Sequence, residues 1–379
     1  MTSAAMRLAS RVPAEVRQAT EADNRGLLAL SASCSMRGDI SLRFQREPDF
    51  FALSRLEGSD WSVDVIDAVD RIAGCVGTSI REVYINGQPT RTGYVGDLKV
   101  HPAHRDHGTA DSLSNQAGYR MESLPDGSPA LITVLAGNSA MEKRLSGERG
   151  LDRFHWLATI RSYSIPILWK RRAKRSRVYM VVERAKWSDI GAMVELWTRV
   201  GLTRQFAPLF DETTLADWIR SAPGLDISSY LLARSSNGEL IGFMALWDQS
   251  SFKQMYVEKY SRKMAVVAAL SNAIAPRVGG ARLVAPGEQM RLQTVAHVCV
   301  PRERPDILEW LIVTAHNDVR HTGCAFFNVG LDIADPLSVA VEGMFGQPTD
   351  INAYVSTRKS ILDLESLKRL PLHYEIALV

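Results

Sequence analysis

The chain has little cysteine. Cys34, Cys75, Cys299 and Cys324 are its four in 379 residues, and no two form a Cys-x-x-Cys pair. That spacing argues against a zinc knuckle and a redox dithiol, and it reads as small hydrophobes inside a core. No apolar run reaches the roughly 20 residues a membrane-spanning helix needs. The N-terminal stretch scatters Arg7 and Arg11 among Ala and Ser and lacks the apolar core of a secretion signal, so a cytoplasmic location is expected. Neither Gly-x-Gly-x-x-Gly nor Gly-x-x-x-x-Gly-Lys-Ser/Thr occurs, which removes weight from dinucleotide redox chemistry and nucleotide hydrolysis. The net charge is only +3, and 46% hydrophobic with 23% charged residues is the balance of a globular enzyme rather than a disordered or fibrous chain.

A chain of this length suggests two domains. Its charge is unevenly placed: Lys170, Arg171, Arg172, Lys174, Arg175 and Arg177 crowd together. Such a run could grip nucleic acid or an acidic membrane, but no aromatic residue follows Trp169 to stack on bases. It is read as a solvated linker, residues 166–177, and neither a nucleic-acid nor a membrane partner is expected.

The most informative segment runs from Tyr94 to Ala110. An apolar strand stops at Pro102, and Arg105-Asp106-His107-Gly108-Thr109-Ala110 leads into a helix. Unpaired N–H groups and the positive end of the dipole make such a helix N-terminus a cradle for an anion such as a diphosphate. Gly108 and Ala110 are small where backbone must approach a ligand. Val100-x-Pro102-x-x-Arg105-x-x-Gly108-x-Ala110 resembles the acyl-CoA signature of the GNAT superfamily, whose members transfer acyl groups from CoA to amines. Upstream, Val16 to Asp23 with Leu27, Leu28 and Leu30 is similar to that family's opening strand and helix, and Asp70 to Gly77 to the hairpin that begins its central sheet.

The resemblance implies a catalytic domain over residues 16–165 after an N-terminal arm, 1–15. It implies that main-chain atoms of Leu98, Lys99 and Val100 pair with the pantetheine arm where the fourth strand splays from the fifth. Arg105, Asp106, His107, Gly108, Thr109 and Ala110 would then hold the diphosphate. Asn138, after the strand Ala130 to Leu135, matches an asparagine that touches the cofactor arm, and it reads equally well as a helix N-cap. An amine must lose a proton as it attacks a thioester, and Asp97 matches an acidic residue the family often carries on this strand. Alternation places Asp97 and Lys99 on one face, Leu98 and Val100 on the other. A carboxylate with an ordinary pKa near 4 serves as a base only if burial raises it. The family's tyrosine that protonates the thiolate is missing: Leu145 and Ser146 occupy its positions, and Gly150-Leu151 stands for the following Gly-Phe pair.

The chain also repeats itself. Val182 to Asp189, with Met193 and Val194 following, echoes Val16 to Leu28, and Gly238 to Met244 echoes Arg71 to Cys75. The expected fold is therefore α+β: two tandem GNAT-like domains, each a mixed, splayed sheet flanked by helices, the second spanning 178–379 with an insertion around 252–290. Within that insertion Val266 to Ile274 reads helical and Gly279-Gly280 to Gly287 reads as loop. Laying Pro301 under Pro102 and Arg304 under Arg105 puts Ile307 at Gly108, Glu309 at Ala110 and Pro305, which has no N–H, at Asp106. This degenerate copy is expected to bind no acyl-CoA.

His101, His104 and His107 at steps of three invite zinc. Pro102 interrupts any helix through them and phosphate binding explains the segment better, so no metal is expected. Asp39, Glu47, Asp49, Phe50, Phe51 and Trp61 lie where the family builds its acceptor wall, while Phe50 and Phe51 beside Leu53 and Leu56 also fit the core face of an amphipathic helix. The expected activity is direct transfer of an acetyl or related acyl group from CoA to a primary amine, a small molecule or a peptide, with acetyl-CoA as co-substrate. The rival is a non-catalytic acyl-CoA binder. Both leave the oligomeric state, monomer or homodimer, open.

Titration calorimetry with acetyl-CoA and desulfo-CoA is expected to show micromolar binding at one site per chain, abolished by Gly108→Glu. A folded protein without binding would defeat the cradle.

Overall fold

The structure, a computed structural model of the chain, describes residues 15–36, 38–105, 107–145, 154–174, 179–278, 280, 282–344, 346–356 and 363–379. Its strands are β1 (Val16–Gln18), β2 (Ile40–Gln45), β3 (Asp60–Asp67), β4 (Ile72–Ile85), β5 (Gln88–Val100), β6 (Ala130–Leu135), β7 (His155–Pro166), β8 (Met180–Arg184), β9 (Ala207–Pro208), β10 (Tyr230–Ser235), β11 (Leu240–Trp247), β12 (Gln254–Tyr260), β13 (Leu292–Cys299), β14 (Phe326–Asp332) and β15 (Gln347–Ser356). The helices are α1 (Asn24–Ser33), α2 (Thr109–Met121), α3 (Ser139–Leu145), α4 (Ile190–Gly201), α5 (Glu212–Ser221), α6 (Arg262–Ile274), α7 (Pro305–Asp318) and α8 (Leu364–Leu367). None of them is long and apolar enough to cross a membrane.

The repeat is visible element by element. Thr20 and Asp23 close a capping turn before α1, and Lys186 and Asp189 close the corresponding turn before α4. In each case the acidic side chain accepts the backbone N–H three residues upstream, satisfying a donor that an emerging helix leaves open. β1 pairs β3 as β8 pairs β10, and β4 pairs β5 as β11 pairs β13. Close approach of sheet and helix requires glycine at matching places. A Cβ on Gly74 would stand 2.8 Å from the Lys99 carbonyl, and one on Gly242 would stand 2.7 Å from the Ile307 side chain.

The two halves share one sheet, in the order β1-β3-β4-β5-β6-β15-β7-β14-β13-β11-β10-β8. The centre of that order is an exchange. β15, from the end of the chain, pairs antiparallel with β6 of the first half, from Ile351 opposite Leu135 to Ser356 opposite Ala130. β7, from the first half, pairs with β14 of the second, from Phe326 opposite Pro166 to Asp332 opposite Ile160. β7 and β15 then pair with each other. A separate two-stranded sheet joins β2 of the first half to β12 of the second. β12 and α6 belong to the inserted segment, where the sequence read only the helix.

The described part of the basic stretch is tied to α7 through its backbone, while Lys170, Arg172 and Lys174 are exposed. Arg171 and Asn317 of α7 exchange two hydrogen bonds, of 2.9 and 3.0 Å, and the Lys174 N–H donates to Glu309 at 3.2 Å. Residues 175–178 lie outside the described residues, as do 1–14. Cys75, Cys299 and Cys324 are buried and unpaired, as expected, while Cys34 is half-buried at a cavity wall.

A fragment ending at residue 178 would leave β6 and β7 without the strand between them, exposing two backbone edges. Such a fragment is expected to lack the near-UV circular dichroism of the full chain and to regain it when co-expressed with residues 179–379.

Candidate active site

β5 and β6 pair in parallel only from Gly93–Ala130 to Val95–Ile132. Beyond Val95 the two strands diverge, β6 continuing on β15 and β5 on β4. The splay expected at Leu98, Lys99 and Val100 therefore exists. Strand alternation decides which backbone faces it: His101 N–H donates to Ala73 O on β4 at 2.8 Å, so the Val100 N–H points the other way, into the opening. Lys99 sits opposite Cys75 on β4, so its amide turns into the ladder.

The side chains divide as alternation requires. Leu98 lines a space of about 290 Å³ between the sheet, α2 and α3. Asp97 and Lys99 line a second cavity, of about 380 Å³, on the opposite side. That cavity belongs to both halves: Phe44 and Arg46 close one wall, and Lys253, Met255 and Met290 close another.

Asp97 is a bulge residue with a φ of 52°. The ladder slips there, Cys75 facing Lys99 while Gly77 faces Gly96. Its carboxylate takes two bonds from Arg46, at 2.5 and 2.9 Å, and one from Lys99. Burial pushes this carboxyl upward, but Arg46 and then Lys99 overcome burial and hold it well below the usual carboxylate range. The condition for a base, a pKa raised by burial, is not met, because Arg46 and Lys99 stand against the carboxylate. Lys253 differs: burial, reinforced by Arg46 and Lys99, lowers its ammonium to about 7. Its Nζ donates to the Ala377 carbonyl oxygen, at 3.3 Å, and to the main-chain oxygen of Val379.

The loop after β5 has the expected form. Gly108 caps α2 in the left-handed region with a φ of 82°, and no atom lies within 4 Å of where its Cβ would be. His107 and Gly108 are exposed, Ala110 is half-buried and Thr109 is buried, with its hydroxyl donating to His104 O. Arg105 is exposed with its Nε 3.4 Å from Val100 O, while Asp106 lies outside the described residues. His101 accepts the Ala103 N–H, and the His101 and His104 rings stand 5.9 Å apart. Asn138 stands ahead of α3 and accepts the Met141 N–H at 3.4 Å, the capping alternative. Leu145 is packed in the core, and Ser146, Gly150 and Leu151 lie outside the described residues.

The segment expected to form the acceptor wall turns other residues than those toward the shared cavity. Phe50 and Phe51 are core, in a short 3₁₀ turn instead of an amphipathic helix. Asp49 caps that turn and pairs with Arg55, Trp61 packs near Phe51, and Asp39 and Glu47 are exposed. Leu42, Phe44 and Arg46 reach the cavity instead, and the sequence reading singled out none of them.

The second half repeats the opening and closes it. β13 and β14 pair only from Leu292–Phe326 to Thr294–Asn328, and His297 has the φ, 50°, of Asp97. Residues 372–376 fill the gap: Glu375 accepts the His297 N–H at 2.8 Å and Ile376 lies against Gly330. The His297 ring is sealed beside Trp218 and Tyr230, and burial lowers its pKa to about 3. The overlay of the two loops shifts as well. Gly74 packs on Thr109 where Gly242 packs on Ile307, so Ile307 matches Thr109 and Asp306, paired with Arg304, stands at Gly108.

Because its folded pKa is depressed, Asp97 contributes stability that is present above about pH 4 and lost as pH falls below it. Urea midpoints of the wild type are expected to fall over that range. Asp97→Asn should be less stable at neutral pH and lack this part of the acid dependence.

Comparison with known proteins agrees with the geometry. Residues 15–129 match the family described as Acetyltransferase (GNAT) domain. Saccharomyces cerevisiae N-myristoyltransferase with bound myristoyl-CoA superposes with a TM-score of 0.62 at 12% identity, over 96% of this chain and 85% of that one. A second structure of that enzyme with myristoyl-CoA gives 0.60 at 11%, over 94% and 87%. No curated protein matches by sequence. Residues 15–129 therefore form a GNAT acetyltransferase domain, and the chain as a whole has a fold like that of N-myristoyltransferase.

Proposed function

We propose that the chain moves an acyl group from acyl-CoA directly to a primary amine, with the cofactor bound by the first half alone. The observation that carries this reading is the divergence of β5 from β6 immediately ahead of the Gly108 loop. The diphosphate lies over the first turn of α2, held by its N–H groups and by Arg105, with His107 beside it. The pantetheine arm lies in the opening and bonds to Val100, as an added strand would. The Val100 N–H also faces the oxygen that gains charge as the amine attacks. The acyl group enters the space beside Leu98, which has room for acetyl and for longer chains. The second opening takes no cofactor because Glu375 and Ile376 occupy it.

The amine enters through the cavity shared by the two halves, on the side of Asp97 and Lys99. Asp97, proposed from the sequence as the base, is better suited to hold Lys99 and Arg46 in place. Lys253 is the proton acceptor in this proposal: it lines the same cavity, and an amine of pKa about 7 is neutral in half its copies at neutral pH. Attack on the thioester carbonyl forms the C–N bond and expels the CoA thiolate. That thiolate resembles a free cysteine of pKa about 8.5 and can leave without a tyrosine to protonate it.

Acetyl-CoA and longer acyl-CoAs, screened with amines by release of free thiol, are expected to give turnover. The kcat should rise with pH through a limb near 7, the neutral form of Lys253 being the active one. Lys253→Met and Lys253→Arg should both lower kcat about a hundredfold or more and remove that limb, with Asp97→Asn retaining it. An unchanged limb in Lys253→Arg, which keeps the charge and can keep the carbonyl bonds, would exclude this base.

A further inference from the structure

The inserted segment carries a helix turned the wrong way for water. Of α6, only Ala268 is buried. Val266, Val267, Leu270 and Ile274 are 60%, 44%, 62% and 57% exposed, and 266, 270 and 274 follow one another at four-residue steps along one face. The face toward the protein carries the small Ala268, the half-buried Met264 and one polar side chain, Asn272. Asn272 donates to Leu283 O at 2.8 Å and accepts the Leu283 N–H at 2.6 Å, tying the helix to the returning chain. An ordinary surface helix does the reverse, burying its apolar stripe and wetting its polar one.

The surrounding charge is of one sign. From Ser261 to Gly287 the sequence has Arg262, Lys263, Arg277 and Arg282 and no Asp or Glu. All four cations are exposed. A second copy docking through the same face would bring these cations against their own images across a two-fold axis, with no carboxylate in the segment to pair them. An anionic bilayer offers what the face lacks: a hydrocarbon layer for the stripe and phosphate groups for the cations.

We propose that α6 is an interfacial helix that docks the protein on anionic phospholipid, its axis along the surface and its Val266, Leu270 and Ile274 face among the acyl chains. The same inserted segment supplies Met255 and Met290 to the cavity, so docking brings the mouth of the proposed acceptor cavity close to the lipid. The inference goes beyond the acyl-transfer reading and stands without it.

The test is co-sedimentation of the full chain with vesicles of phosphatidylcholine alone and of phosphatidylcholine with phosphatidylglycerol, at low and raised salt. Retention on the anionic vesicles, weakening with salt, is expected. Val266→Glu with Leu270→Glu should weaken it about tenfold or more. Arg262→Glu with Lys263→Glu should weaken it about as much, each charge being worth about fivefold near an anionic surface. Both double variants should keep the wild-type circular dichroism and acyl-CoA affinity, which separates loss of docking from loss of fold. Absence of retention on either vesicle would overturn the proposal. So would a wild-type dimer in sedimentation equilibrium that Leu270→Glu converts to a monomer, since the stripe would then be covered by a second copy.

Discussion

Two adjacent strands that stop pairing are the constraint on which this molecule turns. Once β5 leaves β6, the backbone between Gly96 and Val100 has one partner strand instead of two, and a polar backbone withdrawn from water must find partners elsewhere. The chain meets this need twice, differently. In the first half β4 takes the inward-facing groups and leaves the Val100 N–H turned to the opening. In the second half the protein supplies the partner itself, Glu375 accepting from His297 in a gap already filled by side chains. One backbone shape thus leaves an opening in one copy and a packed joint in the other. The identity of whatever lies in the gap decides between them.

The bulge at Asp97 shows how such a shape is held. A non-glycine residue at φ 52° is strained, and the structure fastens it with two bonds from Arg46 and one from Lys99. The cost of withdrawing these charges from water is offset by their mutual attraction and by geometry suited to a carboxylate, two parallel bonds from one guanidinium. That arrangement fixes the strand but removes Asp97 from proton chemistry. In the same cavity the positive charges that lower Asp97 also lower Lys253. One cluster therefore keeps a carboxylate ionised and brings an amine toward neutrality.

What the sequence disclosed was local in origin. The Gly108 loop, the echo of the opening segment in Val182 to Asp189 and the face of Leu98 opposite Asp97 and Lys99 all follow from residue type and spacing along a few residues. The strand exchange does not, because β15 has the same alternating pattern whichever strand it pairs with, and its neighbour is chosen by topology across more than 200 residues. Arg46 was illegible for the same reason: only the fold brings the end of β2 against the bulge of β5. The loop overlay failed by a small slip, since matching prolines is a weaker guide than matching the glycines that pack under the helices.

The exchange also explains why a copy that closes its own opening is still needed. Take away the second half and β6 loses β15, the cavity loses the wall built by Lys253, Met255 and Met290, and β2 loses β12. Each of these belongs to the first half's site and comes from residues beyond 250. A single unit could present the cofactor opening, but the acceptor side would stand open to water, where an amine is well solvated and attack on a thioester competes with hydrolysis. The second copy, whose own gap is filled by residues 372–376, thus walls the cavity beside the first half's opening. The same inserted segment that encloses it carries the exposed face of α6 on its outside, so the enclosure of the site and the outward surface are built from one piece of chain.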